Sequence, residues 1–145
     1  MNKKYLEVSQ EAGAHFFTRN IQGEIVMLNL LRFKETADYS ANPDLKPLTP
    51  ISGAEAFQKY IDHTLPLLRK SGGGLEFLGK GGKYLIGPQN ERWDVVMLVR
   101  QASVESFMAF SSDKEYLAGL RHRTAALEDS RLLPLVESET VTGKQ

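Results

Sequence analysis

Two histidines and several acidic and basic residues are the side chains of this sequence that could carry out chemistry. His63 and His122 titrate near neutral pH and could act as acid or base. Asp94 or Asp129 could orient one of them, and an arginine could hold an anionic substrate. Such a set suits isomerisation, or proton abstraction next to a carbonyl group. The sequence therefore predicts His63, His122 and Asp94 as catalytic residues.

Further polar side chains could meet these three in a pocket. Asn29 interrupts an apolar run, and a buried amide needs hydrogen-bond partners from the protein or from a ligand. Arg32 lies near the end of the same run, where it could pair with Asp94 of a neighbouring strand or hold a substrate carboxylate. The predicted substrate-binding residues are Asn29, Arg32, Tyr60, Trp93 and Arg123.

Structural roles compete with these functional ones. Pro66 leaves a backbone carbonyl of its helix without a donor, and His63 could satisfy the geometry that this creates. The consecutive basic residues Arg121, His122 and Arg123 could stabilise the C-terminus of a preceding helix. Each of these residues is therefore a candidate for a site and also for a purely structural contact.

The sequence lacks the patterns of several common sites. It contains no cysteine, which excludes thiolate metal ligands, iron–sulfur ligation and cysteine nucleophiles. No H-x-H or H-E-x-x-H pair suggests a metal site, and no G-x-S-x-G elbow suggests a serine hydrolase. We therefore expect neither a bound metal nor a bound cofactor.

Charge and hydropathy narrow the range of partners. Eighteen basic and eighteen acidic residues cancel in this chain of 145 residues. Without an overall charge the protein attracts neither nucleic acid nor an anionic membrane, so we expect no partner of either kind. No apolar stretch approaches the ~20 residues of a membrane span, and the first residues do not resemble a signal peptide. We expect a single cytoplasmic domain.

Two apolar runs define the predicted architecture. Residues 25–33 and 93–101 are apolar on both faces, which is typical of central strands covered on both sides. Ser52 and Glu55 have the spacing of a capping box and predict the start of a helix. The predicted elements around the central strands are helices over 9–19 and 52–70, short strands over 75–78 and 84–86, helices that begin after Ser103 and Asp113, a polar connection over 121–130, and an edge strand over 131–136 that contains Pro134.

The order of these elements predicts a fold. We divide the chain into an N-terminal helical extension (1–24), a ferredoxin-like domain (25–136) with a long proline-containing loop (34–51), and a flexible tail (137–145). Strand, helix, strand, strand, helix, strand is the order of the ferredoxin-like α+β antiparallel sheet. Right-handed crossovers place both helices on one face of the sheet. A second copy or the N-terminal helix must cover the other face, and we expect a homodimer.

The two central strands are expected to pair in a register that keeps like faces together. Arg32 then meets an opposite charge across the ladder. The expected pairs are Val26–Arg100, Asn29–Met97, Arg32–Asp94 and Phe33–Trp93.

Four segments resemble a known family. They read VMLNLLRF (26–33), YIDHTLP (60–66), RWDVV (92–96) and YLAGLRHR (116–123). Together they resemble the domain-of-unknown-function family 1330, over roughly residues 24–135. The resemblance implies a dimeric α+β barrel with a pocket between sheet and helices. It implies no particular reaction, since relatives with this fold include cofactor-independent monooxygenases, lactone isomerases, dehydratases, haem-handling enzymes and proteins without known catalysis.

Three functions remain open at this point. The chain could be a small enzyme that acts without a cofactor on a small, partly apolar or carboxylated molecule. It could be a homodimeric ligand-binding or stress-related protein without turnover, or a structural dimer whose polar residues are all paired internally. A cavity lined by Asn29 and by His63 or His122 would favour the first two.

Overall fold

The computed structural model describes residues 3–143, so the first two and last two residues of the predicted extension and tail lie outside the described residues. Local sequence explains where its helices begin. Ser9, Ser52, Ser103 and Asp113 each accept a hydrogen bond from the first turn of a helix, as the N-cap pattern predicts. The helices and strands are α1 (Gln10–Thr18), β1 (Ile25–Phe33), α2 (Gly53–Lys70), β2 (Gly74–Lys83), β3 (Arg92–Gln101), α3 (Val104–Ser111), α4 (Lys114–Ala126) and β4 (Leu127–Leu135).

The four strands form one antiparallel sheet in the order β2-β3-β1-β4. The two strands that are apolar on both faces, β1 and β3, are central, and β4 with its proline is an edge. This order confirms the predicted ferredoxin-like α+β fold. The ladder between β1 and β3 pairs Val26 with Arg100 and Asn29 with Met97, as expected.

Two local predictions are wrong. Residues 84–86 form part of the loop between β2 and β3, where Leu85 and Ile86 are exposed, and not a strand. The polar segment 121–130 is regular structure, because α4 continues to Ala126 and β4 begins at Leu127. The prediction was wrong because these polar residues have partners far away in sequence. Asp129, for example, interacts with Arg32 and Tyr5.

Helices α2 and α4 pack against one face of the sheet and form the main core. The core joins Phe57 and Ile61 of α2 to Leu31 of β1 and Met97 of β3. Helix α1 lies on the same side, since Phe16 packs edge-on against Phe107 of α3 and beside Ile25 and Met27. The N-terminal helix therefore does not cover the opposite face.

The opposite face of the sheet, which we call the open face, carries apolar side chains from all four strands. Alternation along β1 directs Val26, Leu28, Leu30 and, near the strand end, Arg32 to this face, away from the buried Ile25 and Met27. Within the described residues no helix packs over them. Their neighbours on the adjacent strands are Val96, Leu98 and Leu133, and Phe77 of β2 lies beside Leu98.

Two further features of the described residues complete the fold. The long loop contains a short 3-10 helix (Pro43–Leu45), and buried Tyr39 anchors the loop to the core. Among the helices of residues 3–143, none has both the length and the apolar character needed to cross a membrane.

Candidate functional site

A cleft opens at the end of the sheet where β1 ends and β3 and β4 begin. Its volume is about 200 Å³, and both aromatic and charged side chains line it. The lining residues are Lys3, Tyr5, Arg32, Glu91, Trp93, Asp129 and Arg131.

Trp93 forms the base of the cleft and is held in place by the loop between β2 and β3. Its side chain is 3% exposed, and Nε1 donates to Tyr84 Oη at 2.8 Å and to Glu91 Oε2 at 3.0 Å. Tyr84 also donates to Glu91, and hydrogen bonds from Tyr84 and Trp93 lower the pKa of Glu91. The indole is therefore fixed in orientation, with a charged carboxylate at its edge.

Arg32 lies in the cleft with unused hydrogen-bonding capacity. Its side chain is only 12% exposed, and its closest opposite charge is Asp129, with 3.6 Å between Nη2 and Oδ2. The guanidinium carbon lies 5.8 Å from the centroid of Trp93. No residue of 3–143 places an acceptor within hydrogen-bond distance of this guanidinium, which has five N–H donors. Such a group suits an anion, because its free N–H donors match the geometry of a carboxylate.

Arg131 supplies the second guanidinium of the cleft, and both hydrogen-bond acceptors and aromatic rings contact it. Nη1 donates to Asp129 Oδ1 and to the carbonyl of Ser130, both at 2.7 Å. The guanidinium carbon lies 4.7 Å from the centroid of Tyr5 and 5.1 Å from that of Trp93. In the described part of the chain, Nε and Nη2 have no hydrogen-bond acceptor, and the side chain is 39% exposed. One edge of this guanidinium is thus available to a ligand.

Asp129 joins the two arginines. Burial raises the pKa of this carboxyl, but hydrogen bonds from the Tyr5 backbone N–H, Arg131 and the Ser130 backbone N–H outweigh that effect, and the pKa is lower than usual. Asp129 is therefore charged at neutral pH. One carboxylate faces two guanidinium groups, which leaves an excess of positive charge among these three buried or half-buried residues.

The predicted ion pair between Arg32 and Asp94 is wrong. The ladder between β1 and β3 ends at Leu31 and Val95, and beyond it Asp94 Oδ2 accepts a hydrogen bond from the backbone N–H of Phe33 at 2.8 Å. The other oxygen of Asp94 pairs with Arg92 at 3.1 Å. Arg32 instead faces Asp129, which lies directly opposite it on β4.

The predicted pair between Phe33 and Trp93 is wrong for the same reason. Where the regular ladder ends, the Phe33 ring packs against Phe57 of α2 with 5.3 Å between centroids. Trp93 turns to the cleft instead.

The two histidines lie between α2 and α4, and both contact protein groups. His63 Nε2 is 2.5 Å from the carbonyl oxygen of Glu115, and its ring occupies the space beside Gly119. His122 Nδ1 is 2.7 Å from Tyr39 Oη. Burial, followed by the positive charges of nearby basic residues, lowers the pKa of His122, so this imidazole is uncharged at neutral pH.

The remaining predicted residues also bond to the protein. Tyr60 Oη is 3.1 Å from Tyr116 Oη, and burial raises the pKa of Tyr60 far above its usual range. Asn29 Nδ2 donates to the carbonyl of Met27 at 3.1 Å, and Arg123 donates to the carbonyl of Leu6 at 3.2 Å.

The predicted site residues thus do not form a single site. Arg32 and Trp93 meet in the cleft, where Asp129 joins them, whereas His63, His122 and Asp94 lie outside it. Among residues 3–143, no group of three or more His, Asp or Glu side chains could hold a metal ion. Sequence reasoning missed four lining residues, which are Lys3, Tyr5, Glu91 and Arg131. A usable signal existed for Glu91, because it lies two positions before the only tryptophan of the chain.

The fold and the cleft define a ferredoxin-like α+β protein with an arginine-rich site at one end of its sheet. No protein family model matches the chain, so the resemblance to family 1330 is not confirmed, and no curated protein matches it either. The RPA0582 protein of unknown function from Rhodopseudomonas palustris is 33% identical, with a TM-score of 0.83 over 95% of this chain and 100% of that one. Its methylated form matches equally, with 98% of that chain covered. This chain belongs to the family of the RPA0582 protein.

More distant structures share only the fold. A DABB family protein with a ferredoxin-like fold from Mesorhizobium loti is 15% identical over 80% of this chain and 98% of that one, with a TM-score of 0.50. A dimeric ferredoxin-like protein of unknown function from Thermobifida fusca is 16% identical over 79% of this chain and 92% of that one. Its TM-score of 0.48 is too low to bear on the assembly of this chain.

Proposed function

We propose that this protein is a homodimer that binds a small carboxylated molecule in the cleft. The observation that supports this most strongly is Arg32, a nearly buried guanidinium without a hydrogen-bond acceptor among the described residues. Arg131 presents a second free edge to the same space. Arginine matches the geometry of a carboxylate and pairs with it through two parallel hydrogen bonds.

The size of the cleft and its exposed aromatic wall favour a small ligand with an apolar part. A volume of about 200 Å³ lies below the usual range for drug-sized ligands. The half-exposed Tyr5 ring can contact an apolar or aromatic group while the arginines hold the anionic end. A small, partly apolar carboxylate therefore fits best.

The dimer is supported by the open face. Its apolar side chains lie on all four strands, and contiguous apolar surface of this kind marks an interaction site. Two sheets can pack face to face with interdigitating side chains, and a second copy of the same face is self-complementary under two-fold symmetry. We therefore assign the apolar part of this face to a second copy of the chain, beside the cleft at the end of the sheet.

Acid–base catalysis by His63, His122 and Asp94 is a second candidate function. The observation that favours it is the uncharged His122 imidazole bonded to Tyr39, because a general base must be unprotonated near neutral pH. Such chemistry would take place outside the cleft, at the two histidines between α2 and α4, whereas Asp94 lies on β3 and bonds to Phe33 and Arg92. Loss of a measured turnover in His122→Ala, with retained turnover in Arg32→Gln, would favour this candidate over the first.

Two further assignments belong to the same proposal. A cytoplasmic location is supported by the absence of cysteine, which fits a reducing compartment. Membership of family 1330 is supported by the four segments that resemble it.

The binding proposal is tested by titrating the protein with benzoate at constant ionic strength. Trp93 is the only tryptophan, so its fluorescence reports on the cleft. We expect a saturable change, and an affinity at least about tenfold weaker in Arg32→Gln, since hydrogen bonds between charged groups contribute about 1.5–3 kcal/mol. Arg92→Gln is the matched control, because Arg92 is exposed and lies outside the cleft.

Two results would contradict the proposal. The first is a wild-type protein whose fluorescence does not respond to benzoate, which would favour a structural dimer without a ligand. The second is equal affinity in wild type and Arg32→Gln, with thermal unfolding used to verify that the variant is folded.

A further inference from the structure

The segment before α1 packs along β4 and closes one side of the cleft. We call residues 3–8 the strap. The carbonyl of Tyr5 accepts hydrogen bonds from Ser130 N at 3.1 Å and from Ser130 Oγ at 2.6 Å. Lys4 forms an ion pair with Glu128. Arg123 of α4 donates to the carbonyl of Leu6 at 3.2 Å, so the strap is attached at three successive residues.

Tyr5 is the strap residue whose ring lines the cleft. Its backbone N–H donates to Asp129 at 2.8 Å, which fixes the position of the residue relative to both arginines. The guanidinium of Arg131 lies over its ring, and the same guanidinium lies over Trp93. Tyr5 and Trp93 are therefore two aromatic walls that share one cationic group.

The free edge of Arg131 determines how a carboxylate would enter. A carboxylate that accepts hydrogen bonds from Nε and Nη2 lies in the plane of the guanidinium, because the paired hydrogen bonds are parallel and the two groups are planar. The atoms next to that carboxylate then continue in the plane of a guanidinium that lies over both the Tyr5 ring and the Trp93 ring. A flat conjugated group can lie against an aromatic ring there, whereas a saturated carbon carries hydrogens above and below the plane.

We infer that the cleft selects planar conjugated carboxylates, such as aryl carboxylates, and that Tyr5 is the residue that determines this specificity. The inference rests on the proposed binding function and names the substrate class for that site. Tyr5 acts by contact with the ligand, and the strap positions its ring.

The test compares benzoate with cyclohexanecarboxylate, which has the same charge and ring size but no planar ring. Binding is followed by Trp93 fluorescence in wild type, Tyr5→Phe and Tyr5→Leu. We expect wild type to bind benzoate about tenfold more tightly than cyclohexanecarboxylate, as contact between aromatic rings can provide. Tyr5→Phe keeps this ratio because it keeps the ring, and Tyr5→Leu brings the ratio to about threefold or less.

Each of the other outcomes overturns a specific part of the inference or of the proposed function. Equal binding of the two carboxylates to wild type overturns the inference and leaves the binding function standing. An unchanged ratio in Tyr5→Leu shows that Tyr5 does not determine specificity. If neither carboxylate binds, the proposed function fails and the inference fails with it.

Discussion

At the scale of single residues, the partner of a polar group separates structural from functional roles. Asn29, Tyr60 and His63 have the residue types expected of a site, yet each one contacts another group of the protein. Arg32 differs. Within the described residues the closest carboxylate to its guanidinium, that of Asp129, is 3.6 Å away, and no acceptor lies within hydrogen-bond distance. The residue type alone does not separate these cases, because the partners lie on other elements.

Gly119 provides a prediction for the role of His63. A Cβ added at Gly119 would overlap the His63 ring, so Gly119→Ala must displace this imidazole from the carbonyl of Glu115. We expect a loss of about 1–3 kcal/mol in the free energy of unfolding, which is typical of overpacking. Urea denaturation of wild type and variant measures it.

The control for this prediction is the same substitution in a His63→Ala background. Without the ring, Gly119→Ala should stabilise α4 by about 0.5–1 kcal/mol, because alanine has the higher helix propensity. An equal destabilisation in both backgrounds would show that the imidazole is not the obstacle.

At the scale of elements, the joint between the strap and β4 organises the cleft. Asp129 is almost fully buried and bonds to the strap through Tyr5 and to the cleft through Arg131. The extension before β1, which sequence reasoning treats as an addition to the domain, therefore supplies one wall of the candidate site. A change at Asp129 should affect the stability of the sheet and the attachment of the strap together.

Asp129→Asn tests this joint. Removing the charge leaves Arg32 and Arg131 without their buried counter-ion, and we expect a destabilisation of about 3 kcal/mol. Amide hydrogen exchange at Tyr5 should also become faster, since its N–H bonds to this carboxylate. Asp62→Asn is the control, because Asp62 is exposed and bonds only to Gln58. Unchanged exchange at Tyr5 in a stable Asp129→Asn variant would contradict the role of this joint.

Element boundaries were predictable where their signals are local in sequence. The capping box of Ser52 and Glu55 forms as predicted, with bonds of 2.9 and 3.0 Å. The start of β4 was missed, because residues 128–130 are polar and their strand pairing depends on β1. Long-range pairing can thus override a polar composition.

At the scale of the whole molecule, the helices cover one face of the sheet and leave the other open. The four α-helices of residues 3–143 lie on one side or at its margin, since α1 packs on α3 and not on the open face. The open face retains large apolar side chains, and Phe77 is 54% exposed. Burying this surface provides the driving force for the proposed dimer.

Leu98→Lys tests the assembly. Leu98 lies on the open face beside Leu28 and Phe77, so a charge there should oppose sheet-to-sheet packing. We expect light scattering to give the mass of a dimer for wild type at micromolar concentration and of a monomer for the variant. Leu48→Lys, at a fully exposed loop position, should remain dimeric. A monomeric wild type would contradict the proposed dimer.

Hydropathy and capping patterns were sufficient to predict the ferredoxin-like fold, since two-sided apolar strands and helix caps depend on neighbouring residues. The residue types also led to the prediction of Arg32 and Trp93 as binding residues, and the structure brings these two together in the cleft. The composition of the cleft was decided by the tertiary structure, which brings Tyr5 to Asp129 across 124 positions of the chain. It also directs Arg32 to Asp129 and away from Asp94, because Asp94 bonds to the backbone of Phe33 where the ladder between β1 and β3 ends.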